Sequence, residues 1–417
     1  MSVPLTGQEL IRATRAVTLR DVLDSASRAS PTVAAAQARA RAARGARTTA
    51  GVFANPTLAL QVENAPLPGR DAPPMERETM TTAMIPLEPL YQRGARVRRA
   101  NAEVNAAASD ALSQQRHIML SAARGFYRAA LAQVGHATAL DLAAWLDTLV
   151  AYNRARTEEG VAAEADLIRS ELERDNALAE AAMQEAELAR ARAELATYLG
   201  DRVDGRQLMV VIDDGPMALP SIDERPVGHI DTRPDVRAAR DRTAAAGAGV
   251  SSERTMFIRH LGAMVGTKRS AGFTSLVAGF SVPLPIFDQN RGETARAAAE
   301  RDAARFDLAA VERVARAELV GAEDAARLLT DRTAGLSGGA ATFLSRAGEA
   351  RRIALGAWRE GAVPLMQVLD AARAWRESRI TYHRLLFAQH ESVLELLVAQ
   401  GRDPSIMSAA GIGAANR

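Results

Sequence analysis

Tyr152-Asn-Arg-Ala-Arg-Thr-Glu-Glu-Gly160-Val-Ala-Ala-Glu-Ala-Asp166-Leu-Ile168 recurs in outline as Ala357-Trp-Arg-Glu-Gly361-Ala-Val-Pro-Leu-Met-Gln367-Val-Leu-Asp370. In each stretch a glycine sits between two long helical patterns. Glycine ends a helix in the left-handed conformation at little steric cost. The residues after it start a new helix, and Pro364 suits a first helical turn. Gly160 and Gly361 therefore read as the tight bends of two long helical hairpins, and two such hairpins in one chain imply duplication.

Working outward, the pattern before Gly160 runs without proline from Gln92 to Thr157, a rod of roughly 100 Å at 1.5 Å per residue. A helix that long needs a neighbour along its length. The return leg ends at Leu199-Gly200. The second pattern runs from Gln289 to Glu360, bends at Gly361 and returns to Gln400-Gly401. Alternating apolar and polar residues predict strands at about 55–64 and 79–88, separated by a proline-rich loop. Two more are expected at about 258–267 and 275–284, joined by a loop from Lys268 to Thr274. The landmarks Ile85-Pro-Leu and Val282-Pro-Leu, Gly94 and Gly292, Gly160 and Gly361, and Gly200 and Gly401 occur in one order. The expected organisation is a first repeat over 18–200, a linker over 201–232 with a short strand near Leu208–Ile212, a second repeat over 233–401, and a mobile tail over 402–417. Residues 1–16 give no signal.

Composition narrows the function. Of 417 residues, 47% are hydrophobic and only 4% aromatic, a balance suited to helices packed side by side. The net charge of +2 leaves arginines matched by acids in the same helices, which excludes a nucleic-acid stripe. With no cysteine there is no disulfide framework or thiolate metal site. No apolar run reaches the roughly 20 residues of a membrane-spanning helix, and the N-terminus shows no recognisable signal peptide. Phosphate-loop, nucleophile-elbow and dinucleotide motifs are absent, so no enzyme is expected and no cofactor; Gly335-Leu-Ser-Gly-Gly lies inside a helical pattern with no strand before it. None of the six histidines has metal-ligand spacing. His383 and His390, seven apart, read as packing or surface positions, and Asp213-Asp214 as turn chemistry.

The order helix, strand hairpin, long helical hairpin, repeated once, resembles the TolC-like outer membrane efflux proteins, with the closest look to their CzcC-type heavy-metal branch. Asn55-Pro-Thr-Leu58, Val282-Pro-Leu-Pro-Ile-Phe-Asp-Gln-Asn-Arg-Gly292 and the bends at Gly160 and Gly361 carry the resemblance. It implies a mainly α fold with a β membrane portion. Three chains would share a 12-stranded β-barrel continued by an α-helical periplasmic barrel. It further implies the passive exit channel of a tripartite RND-type efflux pump for heavy-metal cations or small toxic compounds. Its partners would be a periplasmic adaptor, an inner-membrane pump and outer membrane lipid, with no nucleic acid. Its place would be the outer membrane and periplasm.

Carried over by position, Asp166 and Asp370 match acidic residues that narrow the periplasmic mouth, Gln367 stands where an acid is often found, and Glu164 is a further candidate. Threefold copies of a carboxylate in a narrow mouth attract cations. The same aspartates also suit the first turns of their helices through the dipole alone. Phe53, Tyr91, Phe257 and Phe287 flank the four expected strands, as an interfacial aromatic belt does; strand ends in any sheet favour aromatics too. Arg93, Arg96, Arg98 and Arg99 crowd the start of the first long helix, either meeting lipid headgroups or forming a solvated face. The rival reading of the whole chain is a soluble or periplasmic coiled-coil scaffold.

Overall fold

Two glycines with positive φ, Gly160 at 71° and Gly361 at 77°, turn the chain back on itself. At the first, Val161 N–H reaches the Arg156 carbonyl (2.8 Å) and Gly160 N–H reaches that of Thr157 (3.0 Å). At the second, Ala362 N–H reaches Ala357 (2.8 Å) and Gly361 N–H reaches Trp358 (2.9 Å). Both are Schellman motifs, which satisfy carbonyls that a helix end would otherwise orphan. The computed structural model describes residues 15–65, 76–200, 203–212, 215–220, 230–337 and 340–406. The tip of the proline-rich loop, Asp213, Asp214, His229, Gly338, Gly339 and the tail from 407 lie outside the described residues.

In chain order the elements are β1 (Arg15–Val17), α1 (Leu19–Ala29), α2 (Pro31–Ala50), β2 (Thr57–Glu63) and β3 (Glu78–Pro86). Then come α3 (Pro89–Glu158), α4 (Glu164–Leu199) and β4 (Leu208–Val210). The second half repeats the plan with α5 (Pro234–Thr255), β5 (Gly262–Ser270), β6 (Phe273–Ser281), α6 (Arg291–Ser337), α7 (Ala340–Arg359) and α8 (Leu365–Ala399). The fold is thus mainly helical with antiparallel strand hairpins, present twice. Two compact units are woven from alternating segments: residues 35–112 with 234–314, and the remainder.

The first of these units holds a four-stranded antiparallel sheet in the order β2-β3-β5-β6. Its central seam, β3 against β5, joins the two repeats, with Thr82 opposite Gly266. The expected strands at 258–267 and 275–284 are corrected here. Both strands lie nearer each other, and the expected loop Lys268–Thr274 is mostly strand. Only Ala271 and Gly272 turn the chain, both with positive φ (52° and 78°), the geometry of a two-residue type I′ hairpin. An alanine gives no hint of that conformation, which costs an L-residue about 1–2 kcal/mol. Ala271→Gly is therefore expected to stabilise the β5–β6 hairpin by about 1 kcal/mol; an unchanged or lowered thermal midpoint would contradict the turn geometry.

The other unit is helical. Thr18 caps α1 in a reciprocal box with Asp21, and these hydrogen bonds hold the Asp21 carboxyl below its ordinary range. β1, in the stretch that gives no sequence signal, pairs in parallel with β4. Two glutamines then clamp the inter-repeat segment by their amides. Gln133 on α3 accepts from Val210 N–H (3.1 Å) and donates to its carbonyl (3.0 Å). Gln389 on α8 does the same for Met217 (3.0 and 2.7 Å). The surrounding core includes Val22, Leu23, Ala123, Leu195, Leu208 and Leu394. A second core, towards the bends, gathers Leu146, Leu149, Val368 and Leu369 with Trp358 and Trp375. There the Arg351 guanidinium lies over Trp375 (3.9 Å) and Trp145 (5.3 Å), tying α7 to α8 and α3.

One carboxylate of this unit is half-buried beside two ion pairs and belongs to neither. Arg124 pairs with Glu395 (2.5 Å) and Arg128 with Glu194 (2.7 Å), which leaves Glu391 the surplus carboxylate between them. Burial pushes the Glu391 carboxyl up to about 6, helped by Glu395 and opposed by Arg124 and Arg128. A folded-state value above the ordinary 4.5 means the folded chain holds the extra proton. The stabilisation is complete below about 4.5 and is lost as pH rises through about 6. Glu391→Gln is expected to raise stability at pH 7.5 by about 1 kcal/mol, after discounting for solvent screening. It should also flatten the midpoint between pH 4.5 and 6.5, read by tryptophan fluorescence; a slope that persists would assign the titration to another group.

Candidate functional site

The register of the sheet sorts its side chains onto two unlike faces, because residues paired across an antiparallel ladder point the same way and neighbours along a strand point oppositely. Leu58 pairs with Ala83, Ala83 with Val265, and Val265 with Ala278. Leu60, Thr81, Thr267 and Leu276 form another row of this face, and Ile85, Ala263 and Phe280 a third. The alternate rows carry Gln61, Met80, Lys268 and Ser275, then Thr57, Met84, Met264 and Gly279. Lys268 bridges Glu78 (2.5 Å) and Glu63 (3.9 Å) on this second face. The first face is therefore mainly apolar, with Arg269 in the row nearest the β5–β6 turn, and the second carries the Lys268–glutamate cluster together with Met80, Met84 and Met264.

The apolar face is uncovered. Leu58 is 77% exposed, Leu60 71%, Leu276 76% and Phe280 79%. A contiguous exposed apolar surface on a chain marks an interaction with another protein or a membrane. β2 and β6 are the outer strands of the four, each with one ladder edge unpaired, and such edges invite further pairing. Nine-residue strands such as β5 and β6 reach about 30 Å at 3.3 Å per residue. Tilted as in a barrel, that matches an apolar band of about 25 Å. No described helix is long and apolar enough to cross a membrane.

Beyond one end of the sheet stand the expected belt residues. Phe53 and Phe257 are exposed, and Phe287 is 98% exposed. Tyr91 is half-buried, and its hydroxyl donates to the Ile258 carbonyl, so it braces two connections. Phe280 and Phe273, inside β6, are exposed aromatics that the strand-end pattern misses. The Asp-Gln-Asn-Arg motif is a brace at the same end. Asn290 holds a positive φ of 57°, donates to the Glu253 carbonyl (2.7 Å) and accepts from Arg259 (2.7 Å). Asp288 accepts from the Asn290 N–H (2.9 Å).

Aligned on their bend glycines, the two hairpins are 201 residues apart, taking 361 minus 160. In that register Asp166 corresponds to Gln367, and Asp370 to Arg169. Glu164 is exposed, Asp166 half-buried, and both Gln367 and Asp370 are exposed. Asp370 accepts from Arg373 (3.2 Å), which also binds Glu173 on α4. Asp166 and Glu164 make no ion pair among the described residues. Among the expected site residues, Glu164 and Asp166 carry uncompensated charge while Asp370 is paired, and the exposed Glu158, Glu159 and Glu360 beside the bend glycines add to the acidic character. His383 and His390 are committed to the carbonyls of Arg379 and Gly215, each at 2.8 Å, and no described group of three His, Cys, Asp or Glu is arranged to hold a metal.

No protein-family model matches the sequence, and no curated protein does either. Solved structures do match its fold. CusC, studied for folding and transmembrane channel formation, superposes with a TM-score of 0.76 at 17% identity, over 92% of each chain. The outer membrane protein VceC of Vibrio cholerae gives 0.75 at 19% identity, over 92% of this chain and 96% of its own. The CmeC outer membrane channel of Campylobacter jejuni gives 0.77 at 13% identity, over 95% and 88%. The strand hairpins and long helical hairpins of this chain together make the fold of these outer membrane proteins.

Proposed function

We propose that the chain is a homotrimeric outer membrane channel, the passive exit duct of a tripartite efflux pump. The observation that carries this reading is the uncovered apolar face of a four-stranded sheet with two unpaired edges. An open edge is not tolerated in lipid, and three copies of four strands supply a closed barrel with an even strand number. The face with the Lys268–glutamate cluster would then line the passage, and the long helical hairpins would extend it through the periplasm. A periplasmic adaptor and an inner-membrane RND-type pump are the proposed partners, with energy and substrate choice residing in the pump. The Pro283-Leu-Pro-Ile-Phe-Asp-Gln-Asn-Arg-Gly292 stretch supports the heavy-metal branch, and hence cations as substrate.

The test is the particle itself. Expressed behind a working signal peptide and extracted from outer membranes with mild detergent, it should have a protein mass near three times the 44.4 kDa chain and conduct in planar bilayers. A folded monomer or dimer recovered without detergent would sink the channel and favour a scaffold.

The bends supply the second test. Uncompensated carboxylates near a narrow mouth concentrate cations. Asp166→Ala is expected to lower cation preference, read as a shift in reversal potential in a salt gradient of tens of millimolar, where screening is weak. Asp370→Ala should shift it in the same direction, since it leaves Arg373 with Glu173 as its one remaining partner among the described residues. Unchanged selectivity in both variants would remove these residues from the pore.

A further inference from the structure

We propose that α2 and the start of α3 form a surface for anionic lipid headgroups, an inference that rests on the membrane placement of the sheet. Residues 31–50 contain four arginines, Arg39, Arg41, Arg44 and Arg47, and no acid; residues 89–102 contain Arg93, Arg96, Arg98 and Arg99, and again no acid. The duplication provides an internal control. The corresponding stretches of the second repeat, 234–255 and 289–302, hold seven arginines against six acids. The same local architecture forms there with almost no net charge, so folding does not require the basicity of the first repeat.

The structure gathers these charges. Arg47 donates to Asn101 (3.0 Å) and Arg93 to the Gly51 carbonyl (2.7 Å), which ties α2 alongside α3. Arg39, Arg41, Arg44 and Arg98 are exposed and make no ion pair or hydrogen bond among the described residues. The Arg96 Nε is buried without an acceptor. The two repeats differ in net charge more than in pairing: Arg99 of the first pairs with Glu103 (2.9 Å), and in the second Arg240 pairs with Glu312 (3.1 Å), Arg242 with Asp110 and Arg296 with Glu293 (2.7 Å), while Arg237, Arg254 and Arg291 make no ion pair among the described residues.

Position selects the partner. α2 ends seven residues before β2, and α3 begins three residues after β3, so the Arg47 and Arg93 end of the patch adjoins the end of the apolar sheet face, and Arg44, Arg41 and Arg39 run back along α2 to about 16 Å from its end. Val52, Phe53 and Leu90 are exposed beside it, and the Arg93 guanidinium lies over the Phe53 ring (5.3 Å). Unpaired arginines beside exposed apolar side chains, at the edge of a lipid-facing surface, fit phosphate headgroups whose acyl chains run along the sheet. Each such basic residue contributes on the order of 1 kcal/mol near an anionic membrane surface.

The experiment uses the full chain as a detergent-extracted outer membrane particle. Phosphatidylglycerol, phosphatidylethanolamine and inorganic phosphate are titrated in turn, and bound molecules are counted by native mass spectrometry. Phosphatidylglycerol should bind in preference to phosphatidylethanolamine, and Arg39→Gln/Arg41→Gln/Arg44→Gln should weaken it at least tenfold. Arg237→Gln/Arg254→Gln/Arg291→Gln removes as many charges from the second repeat and should leave binding within twofold. Unchanged binding in the first variant, an equal loss in both, or displacement of the lipid by equimolar phosphate would each overturn the proposal while the channel stands. A wild-type chain absent from the outer membrane fraction would instead sink the channel reading, and this surface with it.

Discussion

Gly266→Ala is expected to abolish the outer membrane particle. A Cβ at Gly266 would lie 2.1 Å from the Thr81 carbonyl oxygen and 2.7 Å from the Thr82 Cα. Both are backbone atoms of the paired strand, so no side-chain rotation relieves the clash and β3 must separate from β5. That seam is where the two repeats meet, over eight paired residues from Thr79 to Pro86. Overpacking a core costs up to about 3 kcal/mol when side chains yield, and a ladder broken in its middle adds lost hydrogen bonds to that. Gly279→Ala is the control, since its Cβ would only meet the Met264 Cε at 3.6 Å. It should assemble and conduct normally. A Gly266→Ala particle with wild-type yield and midpoint would show that the strands pair in another register.

Gln389→Leu should be the most destabilising change in the helical unit. The side chain is fully buried, its oxygen accepts from Met217 N–H, and its nitrogen donates to the Met217 carbonyl and to Thr330 Oγ1 (2.9 Å). Leucine fills similar space and leaves both Met217 groups without partners. At roughly 1–3 kcal/mol for each orphaned group, the loss is about 4 kcal/mol. Gln389→Glu sets a carboxyl against the Met217 carbonyl, which it can serve as a donor only while protonated, so its loss should grow as pH rises. Gln133→Leu should cost less, because that clamp is only half-buried and water can replace it. Thermal midpoints in mild detergent order the three variants, and equal midpoints would refute the clamp.

The features legible in the sequence are those with a period or a special backbone residue. Gly160 and Gly361 announce their bends, since a glycine between two long periodic stretches has few other uses. Alternation exposes the strands, and it also implies the two-faced sheet once the register is known. The β5–β6 turn is hidden because Ala271 adopts a conformation that alanine rarely takes. β1 spans three residues, too few for any period, whereas the short strand expected near Leu208–Ile212 is present as β4, Leu208–Val210. Gln133 and Gln389 are invisible for a related reason: a side chain that pairs with distant backbone leaves no mark on its neighbours. At the bends, Asp166 and Asp370 look alike in sequence, yet alignment on the bend glycines sets Asp166 against Gln367 and the structure gives Asp370 an arginine. The arginines of α3 stand out as a cluster, whereas those of α2 join them only through the contacts of Arg47 and Arg93.

The two hairpins return over equal spans, from Gly160 to Gly200 and from Gly361 to Gly401, forty residues each. Their descending legs are unequal. Gly94 to Gly160 is 66 residues and Gly292 to Gly361 is 69, a surplus of three, or about 4.5 Å of helix. In coiled-coil language a surplus of three is a stammer, an insertion that shifts the seven-residue phase of a coil, and the longer leg is the one made of two helices, α6 and α7. The halves of this chain have therefore lost interchangeability. A chimera carrying the first descending leg twice would present its seam residues in the wrong phase to whatever packs beside them, so duplication gave this molecule its plan while a three-residue slip gave its two legs distinct neighbours.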